Sequence, residues 1–473
     1  MAMRSRREQV QAHRFVTRRI VAALMFGEPE APEPPMRRLI LAVVGSVLVA
    51  AIVFAGIGIY GLLFPGGRNP AENTLVIERE TGAKYVFLQG RLHPVLNFTS
   101  ARLILGRPDP PTQTMSSRSL LNVPRGRTVG IANAPDTLPP RSDLVGLPWS
   151  VCSALRSAGS ADAATHVFVN AVPAGGAALV DRGLLVASGT DRIFLLWHDH
   201  RLRVRGNTVL AALEWTSVDP ITVNDAFLNA VPPGPDLAAA AVTGAGRPWT
   251  RTIGGRAATV GDVYRAGRQA YLLHADGLSP VGETMSRLLL AGGRPAIEIS
   301  AQEAGAALSQ SRIEPQGFPD AVPDPVRSPR PSMACAGYLG PATGSTPNIV
   351  VETHERVADA FSVPPDQAAL SGSDGVVTAD RVNLPGGHAA VVRALQDNAS
   401  GLVYVVTDQG LKHPLPLEKS EQILGSLGFA GYKPVVVPAS ILALIPTAPA
   451  LDPDAATRFT PVPTVSPSRP PNG

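Results

Sequence analysis

Cysteine is nearly absent: 473 residues contain two, Cys152 and Cys335, so at most one intramolecular disulfide can form. Lysine is almost as scarce, with only Lys84, Lys412, Lys419 and Lys433. None of the four follows a glycine, which excludes a Gly-x-x-x-x-Gly-Lys-Ser/Thr phosphate loop. No Gly-x-Ser-x-Gly nucleophile elbow occurs either. Aromatic residues make up 5% and charged residues 17%. Glycine and proline are plentiful, at 45 and 46, and point to many turns and short elements.

The basic character is local. Residues 1–38 hold eight arginines against four glutamates, which accounts for the whole net charge of +4. Residues 65–473 balance, so the pI near 9.3 is not the footprint of a nucleic-acid-binding domain. Between the two lies "LILAVVGSVLVAAIVFAGIGIYGLLF", Leu39 to Phe64, without a charge. At helical rise these residues extend roughly 39 Å, enough to cross a bilayer core of about 30 Å with some tilt. Arg37 and Arg38 stand directly before the run, so the positive-inside rule places the N-terminus in the cytoplasm and the bulk of the chain outside. A cleaved signal peptide would have a shorter apolar region and a shorter basic leader. The "GIGIYG" inside the span has dinucleotide-fingerprint spacing but no strand before it, so it reads as packing. Ala42, Ser46, Ala50 and Gly58 fall at multiples of four and predict a thin helix face for a neighbour.

Ahead of the span, Val10, Phe15, Val16, Ile20, Val21 and Leu24 recur at helical spacing, with Arg14, Arg18 and Arg19 on the remaining side. Such an arm either lies on the anionic inner leaflet or docks on a partner through Arg14, Phe15, Arg18, Arg19 and Leu24. The segment "EPEAPEPP", Glu28–Pro35, breaks the helix and links it to the span.

Beyond the span one short phrase recurs. "YVFLQGRLHPVL" begins at Tyr85 and "YVVTDQGLKHPL" at Tyr404; "YLLHADGLSPV" at Tyr271 and "FLLWHDHRLRV" at Phe194 are further copies. Each reads as a strand, a tight turn and a second strand, with Gly90 and Gly410 where positive φ is wanted. A leucine-rich stretch, a second short element and a Pro-rich exit follow. The predicted fold is a single-pass membrane protein with an extracytoplasmic α+β, β-rich domain. A central core would carry four hairpin-helix repeat units in pseudo-two-fold arrangement. The units cover about 82–126, 190–234, 267–317 and 400–445, within an extracytoplasmic domain of 65–445. Two inserts, about 127–189 and 318–399, supply the core. Residues 446–473, with eight prolines, read as a disordered tail. In an oxidising compartment Cys152 and Cys335, one in each insert, predict one disulfide rather than two buried thiols.

No catalytic, cofactor-binding or metal-binding constellation emerges. His198, Asp199 and His200 in "WHDH" occupy a hairpin turn with no second cluster at ligand spacing. His93 and His413 stand at equivalent repeat positions before proline, which favours a structural role over a catalytic one.

Taken together, "EQVQAHRFVTRRIVAAL", the span after it, "LPWSVC", "ACAGY" and "GLVYVVTDQGLKHPL" resemble the EccB family of type VII (ESX) secretion systems. The resemblance runs from about Arg6 to Pro446. It implies a disulfide-bearing core with four repeat units and a structural role in a membrane complex. The implied partners are an EccC ATPase of the FtsK/SpoIIIE type, a multi-span EccD protein and EccE. It also implies that ectodomains contact one another. Two further functions stay open on the same grounds: an ATP hydrolase, as some family members are labelled, and a membrane-tethered cell-wall-binding protein.

Overall fold

The computed structural model describes residues 6–27, 37–63, 69–157, 160–327, 330–341, 347–357, 377–395 and 401–459. The linker Glu28–Pro35 and residues 460–473 of the tail lie outside them. The chain divides into two compact units. One holds the N-terminal 71 residues with two short pieces, 78–80 and 115–123, and the other holds the remainder.

The smaller unit is built on two helices, Arg6–Phe26 and Arg37–Leu63. Within the second, Arg38–Tyr60 is long and apolar enough to cross a bilayer, and its large side chains are exposed.

The larger unit is organised about a six-stranded sheet. Its order is Arg381–Asn383, Ala163–Val169, Trp149–Leu155, Met333–Pro341, Pro347–His354 and Ala177–Ala178. The two middle strands come from the two inserts and run antiparallel, with Cys335 opposite Cys152 and Tyr338 opposite Trp149. Trp149, Val151, Val167, Ala336, Tyr338 and Val351 line one face and are buried. The other face carries the disulfide between Cys152 and Cys335, packed among Ala154, Ala164, Phe168 and Met333. Burial on both faces removes the usual alternation: Trp149–Leu155 and Ala163–Val169 are buried almost end to end, their polar members Ser150, Ser153, Thr165 and His166 included.

Four smaller sheets have one shared order: third strand, second strand, first strand, then a late strand. The first three strands are antiparallel neighbours, and the late strand runs parallel to the first in the second, third and fourth sheets. The recurring phrase forms the second and third strands, in matching register: Tyr85 faces Pro94, Phe194 faces Arg203, Tyr271 faces Pro280 and Tyr404 faces Pro414. Gly90 and Gly410 turn with φ of 72° and 73°, as the spacing requires. A short helix follows each hairpin: Phe98–Leu105, Asn207–Ala212, Glu283–Leu290 and Ser420–Leu427.

The Pro-rich exits also have a defined place. Each runs parallel to the third strand of its own sheet, through Leu92 with Arg125, Arg201 with Pro233, Leu278 with Leu308 and Lys412 with Thr447. Proline tolerates this edge position because the bonds use its carbonyl: Leu92, Arg201 and Lys412 donate to Pro124, Pro232 and Pro446 at 2.9, 2.9 and 3.0 Å.

Two boundaries differ from the sequence reading. The first strand of each sheet lies before the range assigned to its unit: Thr74–Glu78, Leu184–Ser188, Val263–Ala266 and Ala389–Leu395. The repeated phrase starts only at the second strand; Leu184–Ser188 and Ala389–Leu395 fall in the ranges read as core inserts, and Thr74–Glu78 and Val263–Ala266 in unassigned stretches before their units. The tail also begins later than expected. Residues 446–459 are folded, with a helix at Pro453–Thr457 capped by Asp452 and with Leu451 and Ala456 fully buried against the fourth sheet's core. Two well-placed apolar side chains suffice there, and no periodicity announces them.

The cores pair the sheets across long sequence distances. Leu185, Leu195 and Trp215 of the second sheet's region share a cluster with Val263, Leu272 and Met285 of the third. Leu103 from the first helix-bearing region shares one with Val391, Val405 and Leu427 of the fourth. Arg102 and Arg141 donate to the carbonyls of Leu427 and Ala430 across this second junction.

A buried polar knot ties the central sheet to its surroundings. The Asp380 side chain, 2% exposed, pairs with Arg156 and accepts from the Thr165 backbone N–H at 2.7 Å. The Thr165 hydroxyl bonds to Asn224 Oδ1, which also accepts from Phe227 N at 3.1 Å and so caps the helix Asp225–Ala230. Replacing Asp380 by Ala leaves the Thr165 N–H without an acceptor and should cost about 2–3 kcal/mol, read as a lowered urea midpoint. An unchanged midpoint would remove the knot from the account. The disulfide closes a loop with a sequence separation of 183. A Cys152→Ala/Cys335→Ala variant should fold but lose up to about 5 kcal/mol in the chain-entropy description.

Candidate interaction surfaces

The arm helix Arg6–Phe26 leaves Val10, Val16, Ile20 and Leu24 exposed, Leu24 at 82%. Val16, Ile20 and Leu24 follow one another at intervals of four, which keeps them on one side. Phe15 does not join them. At 3.6 residues per turn it lies about 100° from Val16, about 140° from Ile20 and about 180° from Leu24, between Arg18 and Arg19. The Arg19 guanidinium sits over its ring at 5.6 Å. The arm therefore presents an aliphatic stripe and an arginine surface with one aromatic set into it.

On the apolar helix, Ser46 returns its hydroxyl to the Val43 carbonyl at 2.8 Å, so the polar group costs little in a lipid environment. Phe54 occupies the step between Ala50 and Gly58 and is 74% exposed. The thin face drawn from Ala42, Ser46, Ala50 and Gly58 is thus continuous only over its first three members.

The two repeat histidines have structural partners. His93 Nδ1 lies 2.9 Å from the Arg127 carbonyl and His413 Nδ1 3.0 Å from the Pro449 carbonyl. At the equivalent place in the third sheet, Ser279 donates its hydroxyl to the Ser311 carbonyl at 2.7 Å. Each binds the exit segment to the hairpin. Gly126 is required for this: a Cβ there would fall 2.2 Å from the His93 ring. One position earlier stand two cations that sequence reasoning missed. Arg201 donates to the Val231 carbonyl at 2.9 Å, and Lys412 donates to that of Leu442. Both carbonyls lie at the C-terminal ends of short helices, Asp225–Ala230 and Ala439–Ala443, where a cation complements the helix dipole. The first and third sheets have Leu92 and Leu278 there.

The histidines of "WHDH" do not converge. His198 Nε2 approaches Asp181 at 3.2 Å, and His200 Nδ1 approaches Asp199 at 2.5 Å. Among the described residues no group of three or more His, Cys, Asp or Glu side chains is placed to hold a metal. The Tyr338 hydroxyl donates to the Val436 carbonyl at 3.0 Å, and burial pushes its pKa up to about 12.

The chain thus combines a helix of membrane-spanning length, a basic arm before it, and a disulfide-bearing central sheet accompanied by four smaller sheets of one strand order. The family model described as "Type VII secretion system ESX-1, transport TM domain B" matches residues 3–462, and the chain belongs to this EccB family. It is 27% identical over 468 residues to "ESX-3 secretion system ATPase EccB3" of Mycolicibacterium smegmatis, covering 94% of this chain and 89% of that one. It is also 27% identical over 474 residues to "ESX-5 secretion system ATPase EccB5" of Mycobacterium tuberculosis, covering 94% and 92%. Its fold is similar to that of a chain in an intact ESX-5 inner membrane complex, with TM-score 0.64, 24% identity and coverage of 98% and 97%. It is similar too to the EccB3 dimer from the ESX-3 core complex, with TM-score 0.63, 24% identity and coverage of 81% and 100%.

Burial sets the pH response of the His413 site. Burial pulls its pKa below the ordinary value, against the opposing pull of the Pro449 carbonyl. A lowered folded-state value means that the unfolded chain binds the proton more readily, so stability falls as pH drops below about 6.5 and levels off under the folded value. The thermal midpoint should therefore decline between pH 7 and 5, and His413→Asn should flatten that part of the decline. An equal slope in the variant would contradict the assignment.

Proposed function

We propose that this chain is a non-catalytic structural subunit of a type VII secretion membrane complex. The observation that carries the reading is the match to the family over residues 3–462, anchor and folded body together. In this reading Arg38–Tyr60 is a single span with the arm on the cytoplasmic side and the larger unit outside. Arg37 and Arg38 support that orientation, and so does a disulfide, which belongs to an oxidising compartment.

We read the four sheets as one unit used four times, arranged with an internal two-fold that exchanges the halves of the ectodomain. The common strand order supports this, as does the occurrence of Arg201 and Lys412 at the same place in the second and fourth sheets only. Under that relation the strands paired through Cys152 and Cys335 exchange with each other.

The arm and the span are the surfaces for other membrane subunits, through Arg14, Phe15, Arg18, Arg19 and Leu24 on the arm and Ala42, Ser46, Ala50 and Gly58 on the span. The proposed partners are an EccC-type ATPase, EccD and EccE, and the ectodomains associate with one another. Curated relatives carry the name ATPase. This sequence has no Gly-Lys and so no P-loop, and the reading assigns export energy to the partner ATPase.

The test is to tag the protein, extract it from native membranes in mild detergent and identify what co-purifies by mass spectrometry. The expected outcome is one large particle containing an FtsK-like ATPase and a multi-span protein. Recovery alone, or with wall fragments, would favour the cell-wall tether instead. A triple Arg14→Glu/Arg18→Glu/Arg19→Glu change should release those partners while leaving the thermal midpoint of the folded body unchanged.

A further inference from the structure

At the Pro347–His354 side of the central sheet lies a cavity of about 470 Å³ bordered by Arg182, His354, Glu355 and Arg356, with Ala174, Gly175, Val326 and Pro331 among its other walls. His354 is 3% exposed, and its Nε2 has no hydrogen-bond partner. The Ala174 carbonyl accepts from the ring, which leaves Nε2 as an acceptor while the imidazole is neutral and a donor once it is protonated. Arg182 and Arg356, both exposed, form no side-chain hydrogen bond or ion pair among the described residues. Two guanidiniums with no ion-pair partner among the described residues thus border one cavity together with the Glu355 carboxylate. The imidazole of His354 lies beneath it with Nε2 closed off from solvent, so its charge acts on the cavity through the field rather than by contact.

The ionisable groups around His354 can be counted. Arg356, Glu355 and Glu352 come from its own chain segment, and Arg182 comes from the stretch after Ala177–Ala178. The segments bearing Ala174, Val326 and Pro331 bring no ionisable side chain to the walls. With the imidazole neutral, the two arginines balance the two glutamates. With it protonated, the cavity is positive.

We propose that this cavity is an oxyanion site, holding a sulfate-, phosphate- or carboxylate-class group between Arg182 and Arg356 over His354, and that it tightens as pH falls. Burial lowers the pKa of His354, with Glu352 and the Ala174 carbonyl pulling the other way. The ring is then mostly neutral at neutral pH. A bound anion favours the protonated form, so anion binding and proton uptake reinforce each other. Gly176 borders the ring, and a Cβ there would come within 2.9 Å of Nε2 and 2.5 Å of Glu352 Oε2.

The test uses the full-length protein in mild detergent and isothermal titration with sodium sulfate, whose charge is constant over the range, at pH 6 and pH 8. Sodium acetate serves as the carboxylate arm. The expected result is one site per chain, with tighter binding at pH 6. Arg182→Ala and Arg356→Ala should each weaken it by about tenfold or more, the loss expected for one charge-assisted hydrogen bond. His354→Gln should bind with no pH dependence. Saturation by sulfate supports a tetrahedral ligand, and saturation by acetate supports a carboxylate from a protein or small acid. Absence of binding by both probes, or unchanged binding in the Arg182→Ala/Arg356→Ala double variant with its thermal midpoint retained, overturns the proposal.

Discussion

Two strands nearly two hundred residues apart in sequence, Trp149–Leu155 and Met333–Pro341, lie side by side in the middle of the central sheet, and the folded body is organised outward from that pairing. The pair brings Cys152 against Cys335 on one face and stacks Trp149 and Tyr338 into the main core on the other. Its entropic cost is high, because the chain must close a very long loop before any contact compensates. The disulfide offsets much of that cost by shortening the loop in the unfolded state. With the pair in place, Ala163–Val169 and Pro347–His354 add as hairpin neighbours, and the main core can form against the second and fourth sheets.

The four smaller sheets answer a different problem. Each is a small four-stranded sheet, three strands antiparallel and one late, with two short helices, and buries little apolar surface by itself. The second and third share a core, and the first, which keeps a small cluster of its own around Leu75 and Val86, is joined to the fourth sheet's core through Leu103, Ile131 and Leu138. The sheets that touch the central core carry Arg201 and Lys412 where the others carry leucine. In both, the cation meets a carbonyl at the C-terminal end of a short helix, where its charge complements the helix dipole.

Much of this was legible in the sequence, for identifiable reasons. The hairpin phrase is legible because the strand register recurs at all four places, and at Tyr85 and Tyr404 the turn glycine and the histidine facing the exit segment recur with it. The long apolar helix is a matter of length and charge, and the disulfide a matter of counting. Other features depend on partners that are distant in sequence and leave no local mark. Ala389–Leu395 is apolar on both faces and reads as a core strand, although it opens the fourth sheet. Leu451 sits in a proline-rich stretch whose composition suggests disorder, yet it is fully buried. Asp380 looks like any surface aspartate until Thr165 and Arg156 are seen around it. The arginine–histidine cavity is of the same kind, because Arg182 and His354 meet only through the edge of the sheet.

The central claim is that the folded body is held as one cooperative unit by the middle strands of the central sheet, which is what a rigid structural subunit requires. Native-state hydrogen exchange of the full-length protein, read by mass spectrometry under mild denaturant, tests it most directly. The account predicts that peptides from Trp149–Leu155, Ala163–Val169, Met333–Pro341 and Pro347–His354 exchange last and together, with the four outer sheets opening earlier. Central strands that exchange before the outer sheets, or two halves that open independently, would contradict it.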